Sequence, residues 1–403
     1  MNHMSLKIDG SLQGSPCECH SPQQGITLMD QMPDVPKSAS CCGSGHDVDR
    51  SPLSAFERPG YAILPAVADF IDTPAGEIPR LKSRLALRDF LLNMGVRLNI
   101  KRNDYQIAPG LYAVGTPHAG SPVVVTANYK LSVDHLRESL SGRDAFILIL
   151  DTRGVNVWCA AGKGTFGTAE LIRRLRESGV EKVVSHRKLI LPQLGASGVS
   201  AFRVKKETGF EILWGPVRAQ DLGRFLDSGR RADKEMRTVR FGLWDRMILI
   251  PVELSLTLKP ALMCALLLLI LSGIDQQGIS FKALWERWPL SLLSIVMGIL
   301  SGAVVTPAFL PYLHGVSFSM KGAMAGLLIG TSFPILFWGE EGIMGIVSLM
   351  LITCAISSYL AMNFTGATPF TSPSGVEKEM RRAIPLQLAA LLAGIVLWVV
   401  AGF

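Results

Sequence analysis

The sequence predicts an α/β domain followed by an all-α transmembrane domain of five helices. Three observations predict it. Between residues 55 and 245, β-rich runs alternate with segments of helical spacing. From about residue 247, five apolar blocks approach the length that crosses a bilayer, about 20 residues each. Between the two lies a basic collar of Arg230, Arg231, Lys234, Arg237, Arg240 and Arg246. Such a collar before a span marks the cytoplasmic side.

Residues 1–54 are rich in Ser, Gly, Pro and Gln with little apolar periodicity, which predicts a mobile tail. It carries Cys17, Cys19, Cys41 and Cys42 in "CECH" and "CCGSGH". Neither spacing matches a defined zinc or iron–sulfur pattern, so incidental thiols compete with a thiophilic metal site. The start has no apolar h-region, so the soluble part is expected in the cytoplasm. There, seven scattered cysteines do not predict a disulfide framework.

In the 55–245 region, "PVVVTANY" reads as a strand and "SVDHLRESL" as a helix. "AFILILD" is a continuous apolar run, as in a strand buried on both faces. "TAELIRRLRESG" places Leu171, Ile172 and Leu175 on one face and ends at Gly179, a helix C-cap. "EKVVSHRKLILP" supplies strand candidates, and "FEILWG" with "AQDLGRFLDSG" adds one more strand and helix. This alternation argues for a Rossmann-like sheet with ligand loops at the strand ends.

The apolar blocks cover 247–271, 289–309, 320–338, 343–362 and 384–402. Glu253 and Lys259 fall in the first, where charge is costly. They mark either function or an interfacial entry turn with Lys259 snorkelling. The formal charge of +7 sits mostly in the collar without interleaved aromatics, which argues against nucleic-acid binding. A transporter would show an inverted repeat or polar pathway, and neither is legible.

The chemistry concentrates in "NVWCAAGKGTFGT", residues 156–168. It is not a Walker A loop, because Val157 stands where the first Gly belongs and Gly164 follows Lys163. Lys163 remains a candidate phosphate or amide contact. A Cys–His pair would draw on His118, His135 or His186, but no spacing places one beside Cys159. The plain alternative is a buried apolar cysteine. Against it, Ala160, Ala161, Gly162 and Gly164 strip bulk from the segment, so a flat ligand can approach the backbone.

This stretch resembles the cap motif of the corrinoid-binding domain in the corrinoid iron–sulfur protein large subunit. It is also similar to the HgcA family, the membrane-anchored corrinoid proteins of microbial mercury methylation. "PGLYAVGTP", "VTANYKLSVDHLR", "LILPQLGASGVSA" and "GPVRAQDLGRFL" resemble further blocks of that domain, and the five spans with "NFTGATPFTSPSGVEKEMRR" resemble the HgcA family. The resemblance implies a base-off, cobalamin-type corrinoid whose cobalt takes the Cys159 thiolate as lower axial ligand. It implies that Asn156, Val157 and Trp158 shape the cap, with Ala160 and Thr165 beside them. Gly162, Lys163 and Gly164 would meet the corrin edge, and Thr126, Asn128, Leu194, Gly195 and Ser197 would line the opposing strand ends.

The activity so implied is a corrinoid-dependent methyltransferase that moves a methyl group from cobalt to inorganic Hg(II), giving methylmercury. The alternative is a membrane-tethered methyl carrier in one-carbon, acetyl-CoA-type metabolism. The chain lacks the four-cysteine cluster motif of the iron–sulfur relative. A separate ferredoxin-like 4Fe–4S protein of the HgcB type is therefore implied as electron donor, with a methyl donor protein or methyl-folate system. The spans either anchor the enzyme or pass Hg(II) through Cys264 and Cys354.

Overall fold

The computed structural model describes residues 64–403 apart from 101, 103–104, 338–341, 367–370 and 372. The tail with its four cysteines lies outside the described residues. An N-terminal hairpin, β1 (Val67–Thr73) and β2 (Gly76–Leu81), leads into α1 (Leu87–Arg97) and β3 (Gly110–Val114). Then follow β4 (Val123–Ala127), α2 (Lys130–Ser139), β5 (Ala145–Leu150) and the short α3 (Val157–Gly162). Next come α4 (Thr168–Ser178), α5 (Val180–Val183), β6 (Lys188–Leu191), α6 (Ala201–Thr208), β7 (Glu211–Trp214) and α7 (Leu222–Asp227).

These strands form one seven-stranded sheet in the order β1-β2-β3-β5-β4-β6-β7. β5, β4, β6 and β7 run parallel, whereas β3 is antiparallel to β5 and β1 to β2. The sheet is therefore mixed, not the all-parallel array that simple alternation suggests. Alternate residues of each strand feed two cores. Val123, Val125, Phe146 and Leu148 pack under α4, and Val124, Ile147 and Ile149 pack against Val133, Leu136 and Leu140 of α2. β3, β4 and β5 are buried throughout, as strands covered on both faces must be. Gly179 ends α4 in the left-handed region at φ 59°, as its position predicts. Of the strand candidates in "EKVVSHRKLILP" only "KLIL", β6, is a strand. Val180 and Val183, three apart, bury their side chains from one turn of α5.

One buried ionic cluster holds α1 to α2. Lys130 Nζ lies 3.2 Å from Asp89 and 2.9 Å from Asp134, and Arg137 lies 2.8 Å from each of the same carboxylates. Two cations face two anions, so the cluster is neutral as a whole and each charge is compensated. Burial, together with Asp134 and Asp89, pushes the Tyr105 hydroxyl up, and it donates to Asn93 at 3.0 Å.

After α8 (Leu243–Met247), α9 (Ile250–Ser272) is followed by a two-residue hairpin, β8 (Ile274–Asp275) and β9 (Gly278–Ile279). Then come α10 (Phe281–Leu300), α11 (Thr306–Ala308), α12 (Phe318–Gly330), α13 (Ser332–Phe337), α14 (Gly342–Gly366) and α15 (Pro373–Val400). Five of the resulting helical stretches are long and apolar enough to cross a membrane: Leu243–Ser272, Phe281–Ala308, Phe318–Phe337, Gly342–Gly366 and Ser374–Val400. The sequence blocks fall within or across these bounds. Lys259 is exposed, as snorkelling requires, and Glu253 is buried.

The helices pack through small residues around α14. A Cβ on Gly322 would come 2.4 Å from Ala361 Cβ, and one on Gly302 would come 2.5 Å from the Ser357 carbonyl oxygen. Ser357 Oγ donates to the Gly322 carbonyl at 2.6 Å, and Ser348 Oγ to that of Gly394 at 2.7 Å. Close backbones and interhelical hydrogen bonds are how helices associate where water supplies no hydrophobic drive.

Candidate functional site

The chain leaves β4 toward β5 on one side and leaves β6 toward β7 on the other. The carboxyl ends of β4 and β6, neighbours in the sheet, therefore flank a topological switch point, where open α/β sheets leave a crevice for a ligand. A cavity of about 500 Å³ lies there. Its walls come from Val124 to Thr126 of β4, Ile190 and Leu191 of β6, and Gly215 and Pro216 beyond β7. Asn156, Val157 and Trp158 close one side, with Leu194 beside them, and Ser132 and His135 of α2 close another. The last wall is the segment that enters the membrane part, through Arg240, Phe241, Asp245, Ile248 and Leu249. Arg218 holds that wall in place by a 2.8 Å pair with Asp245 and a 3.2 Å bond to the Arg240 carbonyl.

The glycine-rich stretch is a short helix, not the open turn its composition suggests. Asn156 takes an extended conformation and its Oδ1 accepts from Cys159 N at 2.9 Å, which caps α3. Gly164, at φ 79°, stops it, and a Cβ there would meet open space. Ala160 and Ala161 point into the core beneath, alongside Phe166. Gly198 belongs to this packing: a Cβ on it would lie 2.2 Å from the Phe166 carbonyl oxygen. Gly195 would bring its Cβ 2.5 Å from the Phe166 ring. Both glycines thus fix the 193–198 turn against α3.

Cys159 follows Trp158 and is half-buried beside the cavity wall. Burial pushes its thiol up, against the opposing pull of Lys163, Arg102 and its hydrogen bond with Asn156. Burial pushes the Tyr129 hydroxyl up, and Cys159 adds to that rise. His135 is held below its ordinary value by burial and by Arg97, so the imidazole facing the cavity is neutral at pH 7.

The predicted residues divide. Thr126, Asn156, Val157, Trp158 and Leu194 meet at the cavity, with Cys159 adjoining. Gly162, Lys163 and Gly164 are exposed on the C-terminal end of α3, and Thr165 Oγ1 donates back to the Ala160 carbonyl at 3.4 Å. Ala160 and Gly195 are buried packing positions, and Ser197 is exposed on the turn, outside the cavity lining. Asn128 is fully buried and spends its Oδ1 on Thr152 N, Thr152 Oγ1 and Gly154 N at 3.0, 2.8 and 2.9 Å. It shapes the turn after β5 and is not among the residues that line the cavity. His118 and His186 serve the 118–121 turn, with His186 Nε2 2.8 Å from the Ser121 carbonyl oxygen. Sequence reasoning missed Ser132, Gly215, Arg218 and the 240–249 wall. Their one signal was position, at strand ends and next to the first span.

Cys264 lines a cavity of about 720 Å³ between the apolar helices together with Glu253 and Gln387. Cys354 lines a different cavity, and its Sγ donates to the Ala323 carbonyl at 3.4 Å.

Comparison with known proteins falls on the same region. Residues 93–226 match the family described as the CO dehydrogenase/acetyl-CoA synthase delta subunit, CdhD. The sheet domain is thus similar to subunits of acetyl-CoA-forming or -cleaving complexes, and the match ends before the apolar helices. Among individual relatives, the acetyl-CoA decarbonylase/synthase complex subunit gamma of Archaeoglobus fulgidus is 31% identical over 140 residues, 34% of this chain and 27% of the relative. The subunit gamma of Methanopyrus kandleri is 31% identical over 129 residues, 31% of this chain and 27% of the relative. That of Methanocaldococcus jannaschii is 29% identical over 130 residues, 31% and 26% respectively. The chain spans about a quarter of the length of these relatives.

Proposed function

We propose that the chain is a membrane-tethered corrinoid protein of methyl transfer, with the corrinoid held at the switch-point cavity and Cys159 as its axial ligand. The observation that carries this reading is one soft donor beside a switch-point cavity. Among the described residues no group of three or more His, Cys, Asp or Glu could hold a bare metal ion. A lone thiol suits a metal that arrives with its own equatorial ligands, as in a macrocycle. The residues present therefore fit the group.

When bound, a corrinoid supplies the cobalt on which the methyl group is carried. The chain's own residues do the rest. Asn156 fixes the start of α3 and with it the backbone of Cys159. Cys159 would hold the group as a thiolate; burial opposes loss of the thiol proton, and Lys163 and Arg102 would offset that cost. Thr126, Trp158 and Leu194 would supply walls against which the group could rest.

The finer reading takes inorganic Hg(II) as methyl acceptor and methylmercury as product. It is supported by the electron-donating thiolate, by the sequence resemblance of the cap, and by an apolar domain that lies outside the matched region. A second reading, methyl carriage in one-carbon metabolism, is favoured by the similarity to the acetyl-CoA decarbonylase/synthase gamma subunits. In both readings the sheet domain lies on the cytoplasmic side, supported by the basic collar, and residues 55–245 and 246–403 divide the work. A ferredoxin-like protein of the HgcB type is the electron donor, and a methyl donor protein or methyl-folate system supplies the methyl group.

The test is the visible spectrum of the full chain in detergent after anaerobic corrinoid reconstitution, wild type against Cys159→Ala. A thiolate–cobalt spectrum lost in the variant is expected. An identical spectrum in both would overturn the axial role, and no corrinoid uptake would overturn the whole reading. Product analysis with Hg(II) and with a carbonylating partner complex then separates the two acceptors.

A further inference from the structure

α1 is inside out. Its polar residues Asp89 and Asn93 are buried against the ionic cluster and Tyr105, with Val96 packed beside them, whereas its other large apolar residues are exposed. Leu87, Phe90, Leu91 and Met94 are 74%, 56%, 60% and 43% exposed, and Leu98 just beyond the helix is 46% exposed. These positions recur at helical spacing, so they form one stripe. A helix in water presents the opposite pattern, and a contiguous apolar stripe of this kind marks an interaction surface.

Two further observations say what covers it. The exposed Arg84 and Arg88 flank the stripe, which is the charge arrangement of a helix lying on an anionic leaflet. The helix that α1 is tied to, α2, also reaches the entrance to the first apolar helix, because its Ser132 and His135 line one cavity with Ile248 and Leu249. Next to that entrance, Trp244 is 85% exposed on α8, in the place where interfacial aromatics collect.

We propose that α1 is an interfacial helix whose outward stripe is buried at the headgroup–acyl boundary of the bilayer that α9 enters. The inference rests on the reading that the five apolar helices cross a membrane. Its consequence is positional. The ionic cluster ties α1 to α2, and α2 supplies Ser132 and His135 to the cavity, so lipid contact by α1 sets the height of the cavity above the bilayer.

The test places a photoreactive benzophenone amino acid at Leu91, at Leu266 of α9 and at Glu138 of α2, each exposed, in the full chain in native membranes. A phospholipid mass gain is expected at Leu91 and Leu266 and not at Glu138. Lipid at Leu266 but none at Leu91 overturns the proposal while leaving the spans intact. A crosslink from Leu91 to another protein or to a second copy of the chain overturns it as well. Absence of lipid at Leu266 overturns the membrane reading beneath it.

Discussion

Cys159 shows how neighbours that pull in opposite directions act on a single thiol. Burial raises the thiol while Lys163, Arg102 and Asn156 lower it. Removing Lys163 therefore raises it further. Lys163→Ala is expected to slow iodoacetamide labelling of Cys159 at pH 8 by several-fold, with the midpoint of the pH–rate curve moved upward. Unchanged labelling would mean that Lys163 does not act on the thiol. The linkage to folding has a definite sign. Because the folded thiol is raised above its unfolded value of roughly 8.5, its contribution to stability is present below that pH and is lost as pH rises through the folded value. His135 acts at the acid end. Its folded value is depressed below about 6.5, so its contribution is present above that pH and is lost as pH falls through the depressed value. Replacing His135 with Gln is expected to flatten the acid limb of a thermal-stability profile without moving the neutral plateau. Gly198 was not singled out by sequence at all. Its need for no side chain follows from the approach of the Phe166 carbonyl, which only the folded chain reveals.

At the scale of elements, sequence legibility follows how local the cause is. The run "AFILIL" and the left-handed Gly179 depend on residues within one segment, and β5 and the end of α4 fall where those residues predict. The cap stretch reads as a turn because its glycines dominate, yet Asn156 nucleates a helix through one side-chain bond. α1 was invisible as an outward-facing helix, because its polar residues make sense only beside Lys130 and Arg137, more than 35 positions away. That pairing gives a firm expectation. Asp134→Ala leaves Lys130 and Arg137 with one buried carboxylate between them, at a cost of about 3–5 kcal/mol. The thermal midpoint of the sheet domain should fall steeply, and a shift of under a degree would contradict the compensated cluster. Among the apolar helices, Gly322→Leu forces α12 away from Ala361 and Ser357 of α14. Loss of detergent-stable monodisperse protein is expected from it, while Leu328→Ala, at an exposed position of the same helix, is expected to be tolerated.

For the molecule as a whole, the sheet and the apolar helices meet at a short neck. Arg246 is buried there, donating to the carbonyls of Pro307 at 2.6 Å and Ala308 at 2.9 Å, and so ties α8 to α11. Arg246→Ala leaves two carbonyls without that donor and should loosen the neck. The expected readout is faster amide exchange in residues 239–249, with the sheet strands unchanged.

The position of the neck also decides where the protein can be divided. Residues 240–249 are a wall of the cavity and at the same time the first turns of the first apolar stretch. A fragment cut before them keeps all seven strands of the large sheet and both of its cores but opens the cavity on one side. Biochemists who excise the sheet domain for convenience would then measure a ligand affinity weaker than that of the intact chain, and the shortfall would be a property of the cut.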